Sequence, residues 1–325
     1  MKMSQELSGA LAGLAAPRDV QTRRVLVTGL STYWGNRLAQ ALESFEHIEA
    51  IIGVDNRAPT RELERTEFVK VSNQHSLLQR IVRAAEIDTV IDTRLVVNSL
   101  MAPPRMAHEN NVIGTMNILA ACTGADSPVR KFIFKSSTHY YGSEQDDPAF
   151  FTEEMRRPHP PHSAIERDIV EAEQAVREFA ERNRDVTVTV LRCANVLGPD
   201  VDTAFTRMFR LPLTPMVLGF DPRLQFVHED DVVHALEHTA FHAAPGVYNV
   251  AADGVLALSE IIACSASGPC RSFRPGARDW SRAPCAGSAS GSPTRSSTSF
   301  ASGAGSTTGC SRRPASTTAT PRARA

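Results

Sequence analysis

The stretch RRVLVTGLSTYWGNRLAQAL, residues Arg23 to Leu42, decides the fold. A short β-branched run ends in Thr28-Gly29, a turn follows, and Gly35 opens a segment with helical spacing. A strand that turns tightly into a helix leaves backbone N–H groups pointing outward, and the positive end of the helix dipole favours an anion there. Glycines at such a turn serve the tight bend, the close approach of a phosphate and the packing of helix on strand. A middle glycine is expected; Thr32 stands in its place, which narrows the approach and supplies a hydroxyl.

Working outward, the chain from Arg23 to about Gly246 alternates strand-like and helix-like segments. RRVLVTG, IEAIIGVD, EFVKV, TVIDT, KFIFKSS and VTVTVLRCA are short runs rich in Val, Ile, Thr or Phe. Amphipathic segments lie between them, at 35–45, 76–85, 106–121 and 163–184. This rhythm predicts an α/β fold of Rossmann type: a doubly wound parallel sheet covered by helices on both faces, with ligands beyond the carboxyl ends of the strands. After Asn195 the rhythm changes to turns, short extended pieces and one helix from about Glu229, which reads as a small substrate region laid over the sheet. The expected organisation is an N-terminal extension (1–22), a dinucleotide-binding domain (23–195), a partial substrate region (196–262) and a basic tail (263–325).

The tail stands apart in composition. The 63 residues from Ala263 contain no Leu, Ile, Val or Met, and carry nine arginines against one acid, Asp279. That segment is formally +8, which leaves −9 for the first 262 residues of a chain whose net charge is −1. So polar a stretch buries too little apolar surface to offset its ordering entropy. Two readings stand: a disordered basic tail, or translation out of frame of a GC-rich gene, which yields this Ser/Arg/Ala/Gly/Pro/Thr mixture. The second is favoured because the break falls inside the helix-like LALSEIIA with no capping signal. Four of the six cysteines lie in this segment; Cys122 and Cys193, without metal-ligand spacing, read as buried small hydrophobes.

No window approaches the roughly 20 apolar residues that span a bilayer, and MKMSQELSGALAGLAAPRDV is too weak for a signal peptide. The expectation is a cytoplasmic protein that does not bind membranes. The near-neutral overall charge does not point to nucleic acid, and the tail arginines lack interleaved recognition elements.

Asp55 ends the second strand, 26 residues beyond Gly29. A carboxylate there accepts hydrogen bonds from an adenosine ribose diol and repels a 2′-phosphate, favouring NAD over NADP. Arg57 is near enough to weaken that preference. The expected cofactor contacts are Thr28, Gly29, Thr32, Tyr33, Trp34, Gly35, Asp55, Asn56, Ser72 and Asn73. The plainer reading is an ordinary strand–turn–helix with a surface aspartate.

At this point seven segments occur in order and at suitable spacing: VTGLSTYWGNRLAQAL, VDNR, NNVIGTMNILAAC, KFIFKSSTHYYG, LRCANVLGPD, LQFVHEDDVVHAL and GVYNVAADG. Together, over about Arg23 to Ile262, they resemble the extended short-chain dehydrogenases, specifically the NAD-dependent sugar-nucleotide epimerase/dehydratase family. The resemblance implies hydride transfer between a nucleotide-sugar and NAD. It places Asn111 in the helix beneath the active site in support of a proton relay, Ser137 on the reacting sugar oxygen and Asn195 on the nucleotide-sugar. Ser72 stands where the family carries an aspartate near the adenine. The resemblance also implies dimerisation through the helices containing MAHENNVIGTMNILAAC and IERDIVEAEQAVREFA.

The family's catalytic pair is a tyrosine and, four residues on along the next helix, a lysine that lowers the tyrosine pKa and holds the ribose. The chain reads HSAIERDIVEAEQAV there, which puts Ile165 and Ile169 at the two positions, on a stripe continued by Ala172, Val176 and Phe179 that marks a buried face. The only tyrosines are Tyr33, Tyr140, Tyr141 and Tyr248, and the last lysine is Lys135, so no Tyr-x-x-x-Lys pair exists anywhere. The resemblance is therefore to a catalytically degenerate subgroup, and a non-catalytic NAD-responsive binding or scaffold protein is the competing class.

Other side chains are candidates to stand in for the missing pair. Tyr140 or Tyr141 reads as part of a structural Tyr-Gly turn. Ser137 and His139, two apart on a strand, share a face, but no orienting acid is identifiable and a surface histidine is the plainer reading. His159 and His162, in RRPHPPH, fit an extended active-site loop rather than a zinc site. In His228-Glu229-Asp230-Asp231, Asp230 or Asp231 is expected to cap a helix.

Overall fold

The structure is a computed structural model that describes residues 21–271, apart from 72–74, 99–101, 125, 145, 149, 217–218 and 265–267. The six expected strands form at β1 (Arg24–Thr28), β2 (Ala50–Asp55), β3 (Thr66–Lys70), β4 (Thr89–Asp92), β5 (Lys131–Ser137) and β6 (Thr187–Cys193). They build one parallel sheet with a seventh strand, Gly246–Val250, in the order Gly246–Val250, β6, β5, β4, β1, β2, β3. Every residue of β4 and β5 is buried, as expected of central strands covered on both sides.

Alternation along the strands separates two cores. Leu26, Val54, Val90, Phe132 and Phe134 face helices α2 (His75–Ala84), α4 (Gly114–Ala121) and α5 (Ala164–Arg182), meeting Leu78, Val82, Ile118, Ile169 and Val176. Val25, Val27, Ile91 and Ile133 face the other way, onto Leu38 and Leu42 of α1 (Tyr33–Glu43) and Val232 and Leu236 of the helix Glu229–Phe241. Cys122 and Cys193 are free and buried in these two cores.

Three features differ from the sequence reading. The expected helix over 106–121 is broken: α3 (Pro104–His108) passes into a π-helical turn, Glu109–Ile113, before α4. The sheet takes its last strand from beyond residue 195: Gly246–Val250 pairs with β6 in register from Gly246↔Thr189 to Val250↔Cys193, and the helix Glu229–Phe241 packs on the sheet. The cap of that helix is neither Asp230 nor Asp231. His228 has the extended backbone an N-cap needs (φ −73°, ψ 146°), and its ring Nδ1 accepts the Asp230 N–H at 3.2 Å, while the Asp230 carboxylate turns to Arg37 at 2.7 Å.

Across the composition break, the helix Leu258–Cys264 runs on to its last turn and Gly268–Arg271 pairs in parallel with Leu213–Met216. Residues 272–325 lie outside the described residues. No helix among the described residues is long and apolar enough to cross a membrane.

Candidate functional site

The strand order reverses between β1 and β4, and in open α/β sheets the crevice beyond the strand ends at such a point is where ligands bind. Residues from both sides converge there. Gly29, with φ +80°, makes the left-handed turn that an L side chain resists. A Cβ on Gly35 would lie 2.2 Å from the Gly29 carbonyl oxygen, so glycine is required for α1 to start this close to β1. Thr28 Oγ1 donates to Asp92 Oδ1 at 2.8 Å and ties the ends of β1 and β4 together.

Thr32 answers the missing middle glycine. Its backbone (φ −77°, ψ 158°) needs no glycine, and its hydroxyl accepts the Gly35 N–H at 3.1 Å while donating to the Gly29 carbonyl at 2.7 Å. The residue is the N-cap of α1. At the next two positions Tyr33 and Trp34 are half-buried against the second core, their rings edge to face at 5.0 Å. Burial, reinforced by the Glu229 carboxylate, pushes the Tyr33 phenol up to about 12.

Asp55 lies at the end of β2 with its carboxylate over the loop. Oδ2 accepts from the Ser31 N–H at 2.9 Å and the Ser31 hydroxyl at 2.8 Å, and Oδ1 from the Asn56 N–H at 2.6 Å. Asn56 is exposed beside it. Ser72 and Asn73 lie outside the described residues. A glycine turn, a helix N-terminus and an anchored carboxylate one strand away form a cradle whose chemistry fits a dinucleotide.

The far side of the crevice carries the expected catalytic positions. Ser137, at the end of β5 and 4 % exposed, has its Oγ 2.7 Å from His139 Nδ1. His139 sits exposed in the three-residue 3-10 turn that follows, Thr138–Tyr140. Desolvation of the ring lowers the imidazole below its ordinary value, opposed by the Glu166 carboxylate. Asn111 is fully buried in the π-turn and clamps one residue from both sides: Oδ1 accepts the Val96 N–H and Nδ2 donates to the Val96 carbonyl, each at 2.8 Å. It fixes the loop after β4. Asn195 opens the short strand Asn195–Leu197, and its amide donates to the Gln225 carbonyl at 3.2 Å.

Ile165 and Ile169 are 8 % and 0 % exposed and belong to the core between α5 and the sheet, together with Tyr140 and Leu95. Behind Ser137 the wall is a buried ion pair. Arg192 of β6 donates from Nε and Nη2 to the Glu173 carboxylate (2.6 Å at the closest), Ser136 donates to the same carboxylate, and the guanidinium carbon lies 3.6 Å from the Tyr140 ring centre. Tyr141 donates to Asn249 Oδ1 at 2.8 Å and stacks on Phe151 at 4.7 Å, which gives it a structural place beside Gly142 (φ +95°). His159 and His162 lie beside acids, at 3.2 Å from Asp146 and 3.0 Å from Glu144. No cluster of three metal-ligating side chains occurs among the described residues.

Two charged residues at the crevice were missed in the sequence. Arg94 follows β4 by two residues and packs on the Gly29 turn, its Nε 3.2 Å from Asp92 Oδ1. Lys135 is buried on β5, its ammonium 4.8 Å from the Trp34 ring centre, and burial lowers its amine, with Cys193 partly offsetting. The signal available for both was position: a long cation near the carboxyl end of a strand that otherwise reads as core.

Fold and cradle together define a Rossmann-type protein of the extended short-chain dehydrogenase class. Residues 25–251 match the NAD dependent epimerase/dehydratase family, and the chain belongs to it. It is 37% identical over 243 residues to uncharacterized proteins of Mycobacterium tuberculosis and Mycobacterium bovis; the match covers 73% of this chain and only 64% of theirs. Among solved structures, MoeE5 in complex with UDP-glucuronic acid and NAD superimposes with a TM-score of 0.62 at 22% identity, covering 76% of this chain and 85% of that one. The UDP-N-acetylglucosamine 4-epimerase of Methanobrevibacter ruminantium M1 gives 0.63 at 19%, covering 75% and 81%. At these identities the likeness establishes the fold.

Proposed function

We propose that the protein binds NAD in the crevice between β1 and β4 and takes a nucleotide-sugar on the Ser137 side, with little or none of the family's usual epimerase turnover. The observation that carries the cofactor reading is the Asp55 carboxylate, anchored by Ser31 at the end of β2 and facing the glycine turn, where it serves a ribose diol and disfavours a 2′-phosphate. The nucleotide-sugar reading is supported by the neighbours, solved with UDP-glucuronic acid and UDP-glucose.

Bound NAD supplies a hydride acceptor. Around it the chain's own groups have limited work. Ser137 polarises a substrate oxygen, and its proton has one neighbouring acceptor, His139 Nδ1. The two positions of the tyrosine–lysine pair carry only aliphatic surface, so neither a phenolate nor an ammonium acts from α5. Losing a positioned acid/base group lowers a rate by about 10²–10⁴-fold. A second reading, a non-catalytic NAD-responsive binding protein, is favoured by the same buried Ile165 and Ile169. Calorimetry of NAD and NADH against the full chain tests the cofactor reading; absence of binding by folded protein removes it. NADH with a panel of nucleotide-sugars, followed by absorbance and product, separates the two readings.

Two coarser features belong with this proposal. A homodimer through α3, α4 and α5 is supported by Met106, Ile113 and Met116, all more than 40 % exposed on one stretch. The segment from Ala263 is read as out of frame; genomic sequence across that codon settles it, since an open alternative frame with apolar patterning is expected and its absence restores a native tail.

A further inference from the structure

We propose that Arg94 is the pyrophosphate-binding residue of this chain, supplying charge to a phosphate loop whose own donors are depleted. The inference rests on the NAD reading above and concerns a residue that no motif of the sequence points to.

The loop has given up one donor. With Thr32 in the middle position, its hydroxyl accepts the Gly35 N–H, a group that a bare glycine turn leaves free for an anion. The loop therefore meets a diphosphate with a weaker set of backbone dipoles.

Arg94 sits where that deficit is made good. It lies two residues past β4 and beside Gly29, one residue past β1, and so stands in the crevice where the strand order reverses. Its place is made by glycines: a Cβ on Gly29 would come within 2.5 Å of Arg94 Cγ, and one on Gly114 within 2.8 Å of Nη1 and 2.9 Å of Nη2. The stem thus lies on the first glycine of the phosphate loop and the guanidinium on the glycine that opens α4. Only 14% of the side chain is exposed.

The hydrogen bonds leave one edge of the guanidinium unspent. Asp92, 1 % exposed, takes the Arg94 N–H at 3.1 Å and Nε at 3.2 Å, together with the Thr28 hydroxyl. Nη2 is buried with no partner among the described residues. A buried charged donor left unmet is costly, and a paired Nη edge matches the geometry of a phosphate oxygen pair. Were Arg94 only the counter-charge of Asp92, its Nη2 would pair with that carboxylate rather than remain buried without a partner among the described residues.

The test uses the full chain and displacement of NADH fluorescence by NAD, ADP-ribose and adenosine, of which only the first two carry a pyrophosphate. In Arg94→Gln, NAD and ADP-ribose are expected to bind about 10- to 100-fold more weakly, the range for losing a charged hydrogen bond, while adenosine is unchanged. Arg94→Lys, which keeps the charge but not the fork, is expected to fall between. If wild type binds NAD and Arg94→Gln binds it equally or more tightly, this proposal is overturned and the cofactor reading stands. If wild type binds neither NAD nor NADH, both fall. Should Arg94→Gln fail to fold, wild-type binding across 50 to 500 mM salt decides: NAD affinity must fall with salt while adenosine affinity stays level, and parallel behaviour overturns the assignment.

Discussion

The Ser137 hydroxyl and the His139 ring share a hydrogen bond of 2.7 Å at the end of β5, on the side of the crevice opposite Asp55. The contact arises because the chain turns into a 3-10 helix immediately after Ser137, whose Oγ also accepts the His139 N–H at 3.3 Å and caps that turn. A strand reading puts the two side chains on one face; the turn is what brings them into contact.

His139 is held below the usual imidazole value by desolvation, with Glu166 opposing. The folded state then binds fewer protons than the unfolded one below about pH 6.5, so this group's contribution is present above that pH and is lost as pH falls through the folded value. NMR titration is expected to place His139 below about 6.5, with Glu166→Gln moving it further down by removing the opposing charge. A midpoint at or above 6.5 in the wild-type chain would show that the ring is not constrained by the site.

At α5 the two positions proposed for the family's polar pair lie in the core. Ile169 is fully buried among Phe134, Ala172 and Val176, so Ile169→Ala is expected to destabilise by about 2–5 kcal/mol through lost burial and the cavity left behind. In parallel, UDP-glucose with NAD and wild-type protein should show epimerisation at least about 100-fold below an intact family member assayed alongside. A comparable rate would mean that another group replaces the missing phenol.

The Arg192–Glu173 pair is the strongest polar element behind the site, with both side chains 2% exposed. Removing one partner of a buried pair leaves the other charge unmet, which costs about 3–5 kcal/mol. Glu173→Gln is expected to lower the unfolding free energy by that much, whereas replacing both residues with methionine should recover most of the loss. If Glu173→Gln is neutral in urea unfolding, the guanidinium is satisfied by Tyr140 and solvent instead.

Much of this was legible in the chain, and the reasons differ from element to element. β1 to β6 carry dense Val, Ile and Phe because both faces are covered, so their runs stand out. Gly246–Val250 lies at the sheet edge, half-exposed, in a region read as a small substrate region over the sheet; only pairing with β6 places it in the sheet. The π-turn at Glu109–Ile113 keeps helical spacing on either side, and periodicity does not reveal the extra residue. Thr32 was legible as a departure from the glycine pattern, but its use as a cap depends on a backbone angle. Arg94 was invisible because its meaning comes from Gly29 and Gly114, one far upstream and one downstream, that make room for it.

The last prediction concerns the junction of α3 and α5. His108 Nδ1 lies 2.8 Å from Asp168 Oδ1, and that hydrogen bond raises the imidazole above its ordinary value, with burial opposing and Glu171 adding to the rise. The folded state here binds more protons than the unfolded one, so the stabilisation is complete below about pH 6.5 and fades as pH climbs through the folded value. The histidine is half-exposed, and the effect is correspondingly modest. Thermal melts from pH 5.5 to 8.5 should show wild type losing stability across that rise more steeply than Asp168→Asn, in which the imidazole has lost its carboxylate. The comparison rests on the slope, because the substitution also lowers the melting temperature at every pH by disturbing a carboxylate that is buried on α5. Identical slopes in the two proteins would place the raised imidazole elsewhere and leave His108–Asp168 as a packing contact alone.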